Sequence, residues 1–99
     1  MNQILEELGI KEVNLGACIG GVDWLDNSNS NFIESYNPTN GDLLAKVKLC
    51  SEDDYEKVII ASKDAFKEWR MIPAPIRGQL ILEMANELRK KKDLLGSLV

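Results

Sequence analysis

The side chains with the most reactive chemistry in this sequence are two cysteines, Cys18 and Cys50. Cys50 lies directly before a predicted helix, and a helix amino terminus can lower the pKa of a thiol. A nucleophilic thiol also needs a base, and the 99 residues include no histidine. With only two cysteines, a disulfide scaffold is not indicated. The sequence therefore predicts free, non-catalytic thiols, as is typical of a cytoplasmic protein.

Three consecutive acidic residues, Glu52, Asp53 and Asp54, form the other candidate for chemistry. Consecutive helical residues point about 100° apart, so these carboxylates diverge instead of converging on a metal ion. Negative charge is favourable at a helix amino terminus, and Ser51 is a good N-cap. We interpret this cluster as a helix start. The sequence thus predicts no catalytic, no metal-binding and no cofactor-binding residue in this segment.

Binding of nucleic acid, phosphate or membrane is not indicated either. The formal net charge is −4, and the one basic run, at 89–92, complements the end of a predicted helix. Gly20 and Gly21 fit neither a dinucleotide-binding nor a Walker spacing. No apolar stretch approaches the roughly 20 residues of a membrane span, and the start lacks the features of a secretory signal. We expect a cytoplasmic protein.

The elements that precede the helices are an arm and a β-hairpin. Residues 1–31 are predicted as a short helix through Leu8 that ends at Gly9, followed by an irregular arm. Within that arm, 22–25 is predicted as a short strand or a buried anchor, and 26–31 as a polar loop. Residues 32–49 are predicted as a hairpin with its turn at 37–42. A two-stranded hairpin is marginal alone, so it should pack on something else.

Residues 51–99 are predicted to form two or three amphipathic helices. The first carries an apolar stripe that includes Ile59 and Phe66, and the second, from about 75 to 92, one that includes Ile81 and Met84. Asp93 is predicted to cap a third helix from 94, and the sequence stops in its second turn, which we take to indicate a longer polypeptide. A hairpin cannot cover these stripes, so we expect exposed apolar surface and self-association of the isolated chain.

The order of these features resembles the amino-terminal region of the aldehyde dehydrogenase superfamily. Tyr36–Val47 resembles the family's strand, N-P-x-x-G turn and return strand. The helix 54–69 is similar to the family's A-x-x-A-F-x-x-W helix, with Ser62 in place of the first alanine. Ile72–Gly78 resembles the proline break and the arginine that open the next helix. No single motif is decisive, but the ordered series is specific.

The closer resemblance is to the antiquitin-like branch, which oxidises α-aminoadipic semialdehyde in lysine catabolism. Three stretches carry this similarity: 5–10, 54–58, and 72–78 followed by 94–99. The branch usually has a basic residue where Ile76 stands, and the loop 14–31 matches poorly.

The resemblance implies an α/β parent protein with a Rossmann-like cofactor domain, of which 1–99 is the amino-terminal part. Such a parent attacks a small aldehyde with a thiolate, passes a hydride to NAD and hydrolyses the thioester. The segments that carry the nucleophilic cysteine, the general-base glutamate and the cofactor contacts are absent from this sequence, so the isolated chain should be inactive. Its implied partners are the rest of the parent chain and, in a homo-oligomer, other subunits.

Two alternatives remain at this point. The chain can be a stand-alone helical module whose exposed stripes bind a partner protein, or an unrelated small α+β enzyme. The reading frame after Val99 separates the first alternative from the aldehyde dehydrogenase interpretation.

Overall fold

The computed structural model describes residues 2–27 and 31–99. Within them, two compact units can be distinguished: Lys11–Ala65, and the segment through Ile10 together with Phe66–Val99. The elements, in chain order, are α1 (Asn2–Glu7), β1 (Val13–Leu15), β2 (Cys18–Ile19), β3 (Asp23–Trp24), β4 (Phe32–Tyr36), β5 (Leu43–Lys48), α2 (Glu52–Trp69), α3 (Ala74–Lys90) and α4 (Lys92–Leu98).

The predicted hairpin is confirmed by the antiparallel pairing of β4 with β5. Its turn is closed by two backbone hydrogen bonds: the N–H of Asn37 donates to the carbonyl of Asp42 at 2.8 Å, and that of Gly41 to the carbonyl of Asn37 at 2.7 Å. Gly41 has a φ of +78°, a conformation that glycine adopts without strain. The Asn-Gly sequence therefore sets the position of the turn.

The expectation of an irregular arm over 11–31 is wrong at two short strands, β1 and β2. β1 pairs with β5 in parallel and completes a three-stranded mixed sheet in the order β1-β5-β4. β2 and β3 form a separate antiparallel ribbon, joined through Gly20 and Gly21, which both have positive φ. Strands of two or three residues are too short to show an alternating apolar pattern, which explains why the sequence did not reveal them.

For 22–25, the sequence predicts either a short strand or a buried anchor, and the structure shows the strand. Trp24 lies in β3, as the short-strand alternative requires. The buried-anchor alternative is wrong for Val22 and Trp24, because both side chains are exposed. Of the polar loop predicted at 26–31, residues 28–30 lie outside the described part of the chain.

Helix α1 ends as the sequence predicts. Gly9 has a φ of +74°, and the N–H of Ile10 donates to the carbonyl of Leu5 at 2.8 Å. The N–H of Gly9 donates to the carbonyl of Glu6 at 3.0 Å. These two bonds form a Schellman motif, which satisfies carbonyl groups that the helix leaves free.

The predicted N-cap residue is confirmed for α2 and is wrong for α4. At α2, the N–H of Asp54 donates to the hydroxyl of Ser51 at 3.1 Å, which is an N-cap bond. The prediction that Asp93 caps the last helix is wrong, because Lys91 holds the N-cap position without a side-chain bond. Since α3 continues to Lys90, the new helix begins at once and Asp93 falls in its first turn, where its charge favours the helix dipole.

The buried core is small. Among the described residues, Ala45 on β5 is the one buried apolar side chain. The stripes predicted to need cover are exposed: Ile59 by 44%, Phe66 by 55%, Ile81 by 56% and Met84 by 58%. The expected exposure of apolar helix faces is therefore confirmed. None of the described helices has both the length and the apolar character required to cross a bilayer.

Candidate functional site

The two cysteines have surroundings that do not activate a thiol. Cys18 is partly buried, and its Sγ donates a hydrogen bond to the adjacent carbonyl of Ile19, at 3.8 Å. Cys50 is exposed, and both thiols are free. A nucleophilic cysteine needs a base within hydrogen-bonding reach, and no described residue supplies one to either thiol.

A small cavity in the sheet-containing unit lies beside Cys18. Its volume is about 210 Å³, below the 300–1,000 Å³ or so of typical small-molecule sites. It is lined by Cys18, Ile19, Gly20, Val58, Ala61, Ser62 and Ala65. A thiol and a hydroxyl among small apolar side chains provide no acid, base or cation, so this cavity lacks the groups for catalysis.

The acidic residues at the start of α2 belong to the helix cap and its first turn. Glu52 and Asp53 are exposed, whereas Asp54 is buried, and its backbone forms the cap with Ser51. The described residues contain no group of three or more His, Cys, Asp or Glu side chains that could hold a metal ion. The arrangement matches the interpretation of these residues as a helix start.

One cluster of titratable side chains was not anticipated from the sequence. On the sheet, the hydroxyl of Tyr36 donates to a carboxylate oxygen of Glu34, and the other oxygen lies 3.4 Å from Nζ of Lys46. Glu34 and Lys46 are directly paired across β4 and β5. The register of the hairpin, which could have been inferred from the Asn-Gly turn, brings these groups together.

These contacts shift two pKa values in opposite directions. The hydrogen bond from Tyr36, followed by that from Lys46, lowers the pKa of Glu34. The hydrogen bond to Glu34 raises the pKa of Tyr36. At neutral pH the carboxylate is therefore ionised and the phenol protonated. Neither group is poised to exchange a proton with a substrate, and the cluster joins the two strands.

We expect the free energy of unfolding, measured as a function of pH, to depend on this cluster. Because the pKa of Glu34 is lowered, its contribution to stability is present above the ordinary carboxyl pKa and is lost as the pH falls through the lowered value. For Tyr36 the contribution is present below the ordinary phenol pKa and is lost as the pH rises through the raised value.

Glu34→Gln should move the pKa of Tyr36 back toward its ordinary value, as followed by NMR of the tyrosine ring. Glu56→Gln, at an exposed position on α2, is the matched control and should leave that titration unchanged. An unaltered Tyr36 titration in Glu34→Gln would show that the hydrogen bond does not form in solution.

A second concave surface is a groove in the unit that contains α1, α3 and α4. It is lined by Leu8, Leu80, Glu83, Met84, Glu87, Leu88, Lys91 and Leu95. The charged groups at its edge include an ion pair, with Nζ of Lys90 2.6 Å from the carboxylate of Glu87. Its lining residues include no thiol, hydroxyl or imidazole, and a mostly apolar groove of this kind is suited to packing against another surface.

The comparisons with known proteins give these observations a context. The model of the aldehyde dehydrogenase family matches residues 24–99. A protein of Pisum sativum named aldehyde dehydrogenase family 7 member A1 is 39% identical over 96% of the chain, and 18% of that protein is covered. The alpha-aminoadipic semialdehyde dehydrogenase of Bos taurus is 36% identical over 96% of the chain, with 17% covered. Aldehyde dehydrogenase family 7 member B4 of Arabidopsis thaliana is 34% identical over 98%, with 18% covered.

The chain thus spans less than a fifth of the length of these three relatives. The resemblance inferred from the strand–turn–strand, the helix and the proline break is confirmed, as is its direction toward the α-aminoadipic semialdehyde dehydrogenases. The family match covers the hairpin and α2, α3 and α4 in full. The chain belongs to the aldehyde dehydrogenase family.

Proposed function

We propose that this chain is the amino-terminal scaffold of the cofactor-binding domain in a longer aldehyde dehydrogenase. Membership of the family and the short share of each relative that the chain spans support this proposal. The observation that carries it is the exposure of the apolar faces of α2 and α3, which are built as packing surfaces and have little to pack on.

In this proposal, the activity belongs to the parent protein: oxidation of an aldehyde, α-aminoadipic semialdehyde, to its carboxylate. A thiolate outside 1–99 would attack the aldehyde, NAD bound to the Rossmann-like domain of the α/β parent would supply the hydride acceptor, and water would hydrolyse the resulting thioester to release the carboxylate. Gly20 and Gly21 join two strands and do not precede a helix, so they do not fit a dinucleotide phosphate. In this proposal, residues 1–99 hold no NAD and take no chemical step. We further propose a cytoplasmic homo-oligomer.

The experiment is to determine the reading frame beyond Val99 and to assay the natural protein with α-aminoadipic semialdehyde and NAD. We expect a frame that continues, NADH formed with the aldehyde, and no NADH from the 99-residue chain. The double variant Cys18→Ser, Cys50→Ser of the natural protein should keep its full rate. Loss of activity in that variant, or activity of the short chain, would refute the assignment of the chemistry to other residues.

The second candidate is a stand-alone module that binds a partner protein through its helix faces. The same exposed stripes on α2 and α3 favour it. A stop codon directly after Val99 in the natural transcript would select this function over the scaffold.

A further inference from the structure

Arg77 lies on α3 at a position that is unusual for a permanently charged side chain. Four large apolar side chains lie within about 60° of it around the helix, at about 100° per residue. They are Leu80, Ile81, Met84 and Leu88, all exposed. Around the helix, Arg77 therefore shares the side of these exposed apolar residues, and along the helix it lies at their amino-terminal end; we call this side of the helix the α3 face.

One nitrogen of the Arg77 guanidinium has no hydrogen-bond partner among the residues that the structure describes. Its Nε is buried and makes no hydrogen bond with any residue that the structure describes. By contrast, Arg89 at the other end of α3 donates to Oδ1 of Asn86 at 2.9 Å. The Nε–H of Arg77 is thus withdrawn from water without a hydrogen bond, whereas Arg89 is exposed and paired.

Covering the α3 face would remove more water from this guanidinium. A charge withdrawn from water is tolerated when an opposite charge and hydrogen bonds replace the water, and is strongly unfavourable otherwise. The planar fork of arginine matches a carboxylate, which accepts two parallel N–H bonds. A surface that binds the α3 face must therefore be apolar and must bring a carboxylate to Arg77.

We propose that the α3 face docks on the part of the parent aldehyde dehydrogenase outside residues 1–99, with Arg77 paired to a carboxylate there. This inference rests on the proposed function. The occupant follows from two observations: the buried, unpaired Nε–H of a charged side chain favours an acidic group, and the family relatives contain more than four fifths of their length outside the matched region. Arg77 is then a positioning residue, which orients this segment on the cofactor-binding domain.

The test uses the natural full-length protein carrying Arg77→Lys, treated with a carbodiimide that joins an amine directly to a contacting carboxylate. Peptide mass spectrometry should find a cross-link from position 77 to a carboxylate outside 1–99. Arg89→Lys is the matched control and should give no such link. A cross-link from position 77 to a carboxylate within 1–99, of the same or a second copy, would overturn the proposal, as would the absence of any link.

A second measurement does not depend on cross-linking. Arg77→Met keeps the apolar stem and removes the charge, and it should accelerate hydrogen exchange of the amides at 81–88 by about tenfold or more in the natural protein. Arg89→Met should change that exchange less than about twofold. Equal exchange in both variants would overturn the docking role. Aldehyde oxidation by the natural protein is measured separately, so the docking proposal can fail while the proposed function stands.

Discussion

Gly16→Ala is expected to destabilise the sheet by about 1–3 kcal/mol, the range observed when an added methyl group has no room. Gly16 directly follows β1, where Leu15 pairs with Lys48. A Cβ at this position would lie 2.3 Å from the backbone carbonyl oxygen of Lys48. Because a backbone oxygen cannot rotate away, β1 must move off β5. Hydrogen exchange at Val13–Leu15 in the 99-residue chain should accelerate by about tenfold or more.

The control makes the same chemical change where there is space. Gly78 lies inside α3, and a Cβ there has no atom within 4 Å. Gly78→Ala should therefore stabilise α3 by up to about 1 kcal/mol, because alanine is the better helix former. Unaltered exchange of β1 in Gly16→Ala would contradict the close parallel packing of β1 on β5.

The isolated chain is expected to self-associate, and the association should weaken by about tenfold or more when the α3 face is made polar. Burying one large apolar side chain contributes about 1.5–3 kcal/mol, and each 1.4 kcal/mol or so changes an association constant tenfold. Ile81→Gln with Met84→Gln removes two such side chains, each more than half exposed. Sedimentation velocity over a range of protein concentrations measures the change.

The matched control is Gln79→Ala, which alters an exposed residue on the side of α3 opposite Arg77. It should leave the sedimentation profile of the chain unchanged. A wild-type chain that remains a compact monomer at every concentration would show that the apolar faces do not need cover, and it would remove the main support for a scaffold.

The hairpin and the three later helices were predictable because strong local signals agree there. Asn40-Gly41 sets the turn, Ser51 caps α2, and Pro73 ends one helix and begins the next. The apolar stripes of α2 and α3 recur with helical spacing over 17 or 18 residues, which is long enough for periodicity to be unambiguous. Local chemistry and period therefore specify most of this segment.

The parts that the sequence did not reveal depend on long-range pairing. β1 is three residues long and is held by its contact with β5, more than 30 positions away. The contact of Tyr36 and Lys46 with Glu34 follows from the register of a hairpin, and the unmet hydrogen bond of Arg77 follows from packing. Neither β1 nor the packing of Arg77 can be read from the spacing of residue types alone, whereas the contacts of Glu34 follow once the Asn-Gly turn fixes the register. That the segment carries no catalytic residue stays a prediction, based on two thiols in a sequence without histidine.

The most direct test of the scaffold role is a reconstitution from two polypeptides. Residues 1–99 and the remainder of the natural protein are produced separately and then together, and NADH formation with α-aminoadipic semialdehyde is measured in each case. We expect neither part to be active alone and activity to appear when both are present. Full activity of the remainder without residues 1–99, or aldehyde oxidation by residues 1–99 alone, would contradict it.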